Sequence, residues 1–391
     1  MKIAIIGGAG HIGLPLSLVL AKRNNIVIVD PSENVLKIKK KIAPFEDKGI
    51  EKYLKNKNIH KNISYSNDIN LLKPNFVDAI IIAIGTPLDE WGNPVTADLE
   101  KICLKSVNKL KKNGIIILRS TVTPGFSKKI FNNIKKNKKK INIAYCPERI
   151  AQGKSFTELF KFAQIVGIEK NNKLTFTKVK KIFNKISPKF FLTDTTTAEL
   201  VKLFANFWRY STFAISNQIY MTANQFGCSA NEIINLIRYK YPRSHGIQSP
   251  GFAAGPCLYK DTQQLVASLN NNFIMGSAAI SINEGIAYTV SDMAINLSKK
   301  KDILILGASF KPNCDDHRSS LSFKLYKILS LRKKENVYLH DPYVKHPKVI
   351  NSLKNINIKN SFIVVASPHD IYDKILKKFK NKKNILNIWH D

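Results

Sequence analysis

The chain opens on an apolar run, Lys2–Ile6, that passes directly into Gly7-Gly-Ala-Gly10-His-Ile-Gly13 and then into a helix-forming stretch. Strand, glycines at 8, 10 and 13, and helix, in that order, leave few folds open. Glycines at these places permit a tight turn. They also let the backbone, with His11 and Ile12 inside the turn, approach a pyrophosphate seated on the helix N-terminus. A second apolar run, Ile26–Asp30, ends on a carboxylate 17 residues after Gly13. An acid there accepts from the ribose 2′-hydroxyl of an adenine dinucleotide and repels a 2′-phosphate, which favours NAD over NADP.

The alternation continues. Ala79–Ile84, Ile115–Arg119 and Ile141–Tyr145 are further strand candidates separated by amphipathic stretches of crossover length, the pattern of a parallel sheet. After residue 195 the strand signal stops. Thr196-Thr-Ala-Glu199 reads as a capping box opening a long helix, and Gly227 reads as its stop. About 30 residues at ~1.5 Å each give a helix of roughly 45 Å. Helical sequence runs on to 298, interrupted by the Pro/Gly-rich segment 242–256. Asp302–Gly307, Val337–His340 and Phe362–Ala366 then begin a second alternation. The expected class is α/β, with domains at 1–195, 196–298 and 299–391.

Of 391 residues, 62 are basic and 28 acidic, a net charge of +34. Such an excess fits a nucleic-acid binder. Here, however, the lysines are spread through runs such as Lys37–Lys41, Lys135–Lys140 and Lys377–Lys383 without aromatic interleaving, which reads as solvated surface. No apolar run reaches the ~18 residues that span a bilayer, and the first residues are too short and glycine-rich for a signal peptide. Five widely spaced cysteines exclude a disulfide framework and close-spaced zinc patterns. The expectation is a reducing, cytoplasmic setting with no metal.

Chemistry concentrates at a few places. Gly85-Thr86-Pro87 and Ser120-Thr121 follow strand ends, where a doubly wound sheet binds ligand. Glu148, after the fifth strand in Cys146-Pro-Glu-Arg149, suits a general base for water or a helix-terminal acid. Glu199, Lys202 and Asn206 share a helix face, solvated by default. Cys257 ends a turn-rich loop at a helix N-terminus with Lys260 three residues on, a setting that favours thiolate and a nucleophile. The other four cysteines read as small buried hydrophobes. Gly307–Arg318 carries Lys311 and Arg318 for a diphosphate and Phe310 for a base.

Taken in order, these motifs resemble the UDP-glucose/GDP-mannose dehydrogenase family over essentially the whole chain. The matching stretches are the glycine turn, Gly85-Thr-Pro87, Ser120-Thr-Val122, Pro147-Glu148, Ala198-Glu-Leu-Val-Lys202-x-x-x-Asn206, Gly255-Pro-Cys257-x-x-Lys-Asp261 and Phe310-Lys-Pro-Asn-x-Asp-Asp-x-Arg318. The resemblance implies two Rossmann-like doubly wound domains, for NAD and for UDP, joined by a long helix and a helical dimerisation region. It implies a homodimer that oxidises carbon 6 of a UDP-sugar to a carboxylate with two NAD. Cys257 would form a thiohemiacetal and then a thioester, and Glu148 would activate water. Lys202 would stabilise oxyanion charge, with Asn206, Asp261 and Thr121 organising the surrounding water. Cofactor contacts would come from Gly8, Gly10, His11, Ile12, Gly13, Asp30, Thr86, Thr121, Lys260 and Arg318. Substrate contacts would come from Glu148, Arg149, Lys202, Asn206, Arg243, Phe252, Gly255, Phe310 and Lys311.

Three features depart from or divide the family pattern. Asn34-Val35 stand where a basic residue often follows Asp30. Arg149 after Glu148 resembles the branch acting on UDP-N-acetylhexosamines, whereas Lys260-Asp261 resembles the UDP-glucose branch. The rival readings are a two-electron 3-hydroxyacid-type dehydrogenase, which needs neither Cys257 nor a second nucleotide domain, and a basic nucleic-acid binder with a dehydrogenase-like shell.

Overall fold

A computed structural model describes residues 1–136, 141–169, 172–252, 255–377 and 382–389. Parts of two lysine runs (137–140 and 378–381) and of the cysteine loop (253–254) lie outside these. The chain divides into two compact units, Met1–Ala205 and Asn206–Asp391.

The first unit holds eight strands: β1 Lys2–Ile6, β2 Asn25–Val29, β3 Ile63–Ser66, β4 Val77–Ile82, β5 Leu110–Leu118, β6 Asn142–Tyr145, β7 Gln164–Gly167 and β8 Phe190–Thr193. Their order is β3-β2-β1-β4-β5-β6-β7-β8. All pairings are parallel except β6 with β7. The sheet reverses direction of growth between β1 and β4, the switch point at which doubly wound sheets bind ligands. Both faces are covered. Ile3 and Ile5 pack into one apolar layer while Ala4 and Ile6 pack into the other. That is why β1 reads as an uninterrupted apolar run. Each of the buried isoleucines contributes about 1.5–3 kcal/mol.

Three of these strands, β3, β7 and β8, are absent from the sequence expectation. Each has only four residues, and β3 and β8 are partly exposed sheet edges carrying no buried apolar run. The capping box is also corrected. Helix α1, Thr195–Gln225, is capped by Asp194, whose carboxylate accepts from the Thr197 N–H at 2.9 Å and hydroxyl at 2.6 Å. Glu199 serves another helix, described below.

In the second unit, helix α2, Leu258–Ser268, and helix α3, Ile274–Ser298, precede a four-stranded parallel sheet. Its strands are β9 Ile303–Leu306, β10 Val337–His340, β11 Phe362–Val365 and β12 Ile385–Asn387, in the order β10-β9-β11-β12. Strand β12 is a further addition to the expected set. Gly227, two residues beyond α1, takes a φ of +66°, as a glycine stop should. No helix among the described residues is long and apolar enough to cross a membrane, and none of their His, Cys, Asp and Glu side chains cluster as a metal site.

Candidate active site

In the first unit the chemistry lies along the C-terminal ends of β1, β2, β4, β5 and β6. The glycine turn runs from β1 into the helix Gly13–Leu20. A Cβ at Gly13 would come 2.0 Å from the Gly7 carbonyl oxygen, so only glycine lets the helix start this close to the turn. Asp30, directly after β2, is buried. Its carboxylate accepts from the Ala9 N–H at 3.0 Å and the Ser32 N–H at 2.9 Å, which fixes the turn beside the acid. Asn34 donates to the Ala9 carbonyl at 3.4 Å. His11 packs against Phe45, ring centroids 4.0 Å apart, and approaches Gln152 at 3.4 Å.

At the ends of β4 and β5, the Thr86 hydroxyl donates to the Thr121 carbonyl at 2.7 Å and ties the two loops together. Two observations fit a cofactor at this edge. A Cβ at Gly85 would meet nothing within 4 Å, an open space beside the turn. The buried Ser120 hydroxyl has no partner among the described residues.

Glu148 is not a free base. Its Oε2 pairs with the Arg119 guanidinium, and its Oε1 accepts from the N–H groups of Arg149 at 2.8 Å and Ile150 at 3.1 Å. Burial pushes its pKa up, but the Arg119 charge and hydrogen bond, with the two backbone donors, outweigh this and hold it below the usual carboxylate range. The Arg149 side chain turns to the Ala163 carbonyl at 2.6 Å.

The helix face carrying Glu199, Lys202 and Asn206 is buried, correcting the solvated default. The Glu199 carboxylate accepts from Gly125 N–H at 2.6 Å and Ser127 N–H at 2.7 Å, around the start of the helix Phe126–Lys136. Thr121 precedes that turn, so Glu199 holds the Thr121 loop against the helix that carries Lys202. Burial raises the Glu199 pKa, partly offset by these donors.

In the second unit, Cys257 is exposed and stands at the N-cap of α2. Behind it Asp261, buried, accepts from Asn206 Nδ2 at 2.6 Å and from Lys260 Nζ at 2.7 Å. Lys260 stands three residues after Cys257, and its ammonium pairs with Asp261. Arg318 pairs with Asp316, its Nη2 donating to the Asp316 carboxylate at 2.6 Å. Its pKa is raised, first by hydrogen bonding to Asp316 and more weakly by Cys257. Of the other cysteines, 103, 146 and 314 are buried and their thiols pushed up, the first two to about 12. Cys228 is exposed, against the expectation that all four are buried.

The loop after β9 repeats the arrangement after β1. Asp341, directly after β10, accepts from the N–H groups of Ala308 at 2.7 Å and Ser309 at 3.1 Å, as Asp30 does from Ala9. Phe310 lies against Gly255, where a Cβ would come 2.6 Å from the ring. Lys311 Nζ is 5.4 Å from the same ring centroid. Phe252 is buried in the core of this unit, and Arg243 is exposed in the turn Pro242–Ser244, over Tyr241. Sequence reasoning missed Arg119, Asp341 and His369. Only Asp341 carried a signal, as an acid one strand on from a glycine turn.

Residues 1–187 match the NAD binding domain of the UDP-glucose/GDP-mannose dehydrogenase family, 196–285 its central domain and 304–389 its UDP binding domain. The chain belongs to this family. It is an NAD-dependent nucleotide-sugar dehydrogenase. Among its relatives, the UDP-N-acetyl-D-mannosamine dehydrogenase of Methanococcus vannielii is 31% identical, covering 99% of this chain and 93% of that protein. The UDP-glucose 6-dehydrogenase of Campylobacter jejuni is 28% identical over 98% and 97%. The solved UDP-D-ManNAc dehydrogenase of Pyrococcus horikoshii superposes with a TM-score of 0.86 at 27% identity, covering 98% of this chain and 93% of that one.

Proposed function

We propose that this dehydrogenase oxidises carbon 6 of a UDP-N-acetylhexosamine to the carboxylate through a covalent Cys257 intermediate. The observation that carries the reading is the thiol itself, exposed at the N-cap of α2, where the helix start favours a thiolate. The N-acetylated sugar is supported by Arg149 and by the names of the relatives above 30% identity.

In this reading the sugar hydroxyl loses a proton and carbon 6 a hydride, giving an aldehyde. The Cys257 thiolate adds to it, and loss of a second hydride leaves a thioester. Water then adds to the carbonyl, the C–S bond breaks, and the thiolate departs from the new carboxylate. NAD, when bound by the glycine turn, Asp30, Thr86 and Thr121, supplies the hydride acceptor for each oxidation. Lys202 assists proton removal and stabilises negative oxygen. Glu148 activates the water, and Asn206, Asp261 and Thr121 order it. Lys311, Phe310, Phe252 and Gly255 hold the nucleotide side of the substrate, and Arg243 reaches a neighbouring subunit. A homodimer belongs to the same proposal, supported by exposed Trp208 and Ile215 on α1.

The test is turnover of UDP-N-acetylmannosamine, UDP-N-acetylglucosamine and UDP-glucose with NAD, counting NADH per uronate. Two NADH and preference for an N-acetylated sugar are expected. Turnover of UDP-glucose alone would overturn the substrate, and one NADH per product the mechanism. A second measurement addresses Asp30. Its replacement by alanine removes a charged acceptor, a contact worth about 1.5–3 kcal/mol. NAD should bind roughly ten- to a hundredfold more weakly and lose more affinity than NADP, so that the preference for NAD narrows. Equal use of NAD and NADP by the unaltered enzyme would refute the assignment.

A further inference from the structure

Arg119 stands immediately after β5, an almost fully buried guanidinium with a side chain 2% exposed. Its surroundings hold it on three sides. One terminal nitrogen donates to Gln164 Oε1 at 3.0 Å, at the start of β7. The other donates to Glu148 Oε2. Its Cζ lies 5.1 Å from the centroid of the Phe183 ring. Its Nε is buried without a partner among the described residues. A buried arginine with an unsatisfied donor is costly to keep for packing alone.

We propose that Arg119 is a positioning residue for Glu148, fixing the charge and the orientation of its carboxylate. The proposal rests on the reading of Glu148 as the group that activates water. Arginine suits the task because its planar fork reaches Gln164 and Glu148 at once, which an ammonium does not reproduce. Gln164 is itself anchored, its Nε2 donating to the Ile165 carbonyl at 3.0 Å. The cavity beside the pair is lined by Arg119, Glu148, Arg149, Glu158, Phe162 and Gln164. The other two charged groups there are directed to backbone: Arg149 to the Ala163 carbonyl, and the Glu158 carboxylate to the Ala151 N–H. Arg119 is therefore the cation that offsets the burial of Glu148. With that charge removed, burial dominates and the carboxyl holds its proton to higher pH.

Sign and size follow. The ionised Glu148 is the working form, so turnover falls on the acid side as Glu148 takes up a proton. Arg119→Gln should move that acid limb of kcat upward by about 1–3 pH units. The KM for NAD should stay within about twofold, because Glu148 belongs to the chemical step. Arg119→Lys, which restores the charge but not the fork, should return the limb part of the way. The measurement is kcat and KM between pH 5 and 9, with the UDP-sugar and NAD, for both variants and for Glu148→Gln. If Arg119→Gln does not fold, Arg119→Lys carries the test, and a wild-type limb in it overturns the proposal. Loss of turnover in Glu148→Gln with an unmoved limb in Arg119→Gln overturns the role of Arg119 alone. Wild-type turnover by Glu148→Gln overturns the reading of Glu148 and this proposal with it.

Discussion

Cys257→Ala is expected to lower uronate formation by about a thousandfold or more, while NAD binding by the first unit persists. Removing a covalent nucleophile costs losses of that order, because the split of one hard step into two easier ones disappears with it. Alanine keeps the start of α2, since the Cys257 side chain makes no capping hydrogen bond there. The loss is therefore chemical rather than structural. Glu148→Gln supplies the complementary result. The thiol survives and the base is gone, so thioester forms faster than water removes it, and sugar mass accumulates on the protein. Intact-mass measurement after incubation with the UDP-sugar and NAD reads this directly. The double variant should show no added mass. Full uronate production by Cys257→Ala, or mass added elsewhere than on Cys257, would remove the covalent mechanism.

The fold was legible wherever burial is two-sided. Strands β1, β2, β4, β6 and β9 lie mainly inside their sheets and read as apolar runs whose expected places hold to within two residues. Strand β5, by contrast, begins at Leu110, five residues before its apolar half, and runs first through the exposed stretch Lys111-Lys-Asn113. Ile63-Ser-Tyr-Ser66 and Phe190-Phe-Leu-Thr193 sit at the sheet edges, where one side meets solvent and no apolar run is needed. Pairing with a neighbour, a non-local property, makes them strands. The four residues of β7 are buried but too few to signal themselves.

The site was legible as motifs and illegible as contacts. The glycine turn, Asp30 and Cys257 declared themselves because a turn, an acid or a thiol at a helix start has a local physical cause. The partners did not. The Glu199 carboxylate looked like the local half of a capping box because sequence spacing shows only neighbours along the helix. Its actual donors, Gly125 and Ser127, are more than 70 residues away. Arg119 looked like the end of a strand because its partner Glu148 lies beyond the next one. Lys260 lies three residues after the thiol by spacing, and its pairing with Asp261 could not be read from that spacing.

The second unit holds the largest stability effect. Asp341 and His369 are both fully buried, their oxygen and nitrogen 2.9 Å apart. One Asp341 oxygen accepts from the N–H groups of Ala308 and Ser309, the other from those of Tyr343 at 2.8 Å and Val344 at 3.0 Å. His369 Nδ1 accepts from the Asn313 N–H at 2.8 Å, so the network fastens both ends of the loop that carries Phe310 and Lys311. Asp341→Ala strands four amides and the imidazole at once. A loss of about 3–5 kcal/mol is expected, as when one partner of a buried pair is removed. Burial would raise the Asp341 pKa, but its partnership with His369 and the amides outweighs this and holds it below the ordinary value. A carboxyl depressed in the folded state stabilises above its unfolded pKa of about 3.9 and loses that contribution as pH falls through the folded value. The stability gap between the native chain and Asp341→Asn should therefore be full at pH 7 and shrink below about pH 4. Urea unfolding across that range measures it, and amide exchange at Ala308 and Ser309 shows whether the loop has come free. The KM for the UDP-sugar should rise in the variant while NAD affinity stays, since the UDP binding domain alone is loosened. A variant as stable as the native chain, with both amides still protected, would show that the four donors find other acceptors and that Asp341 does not hold the loop.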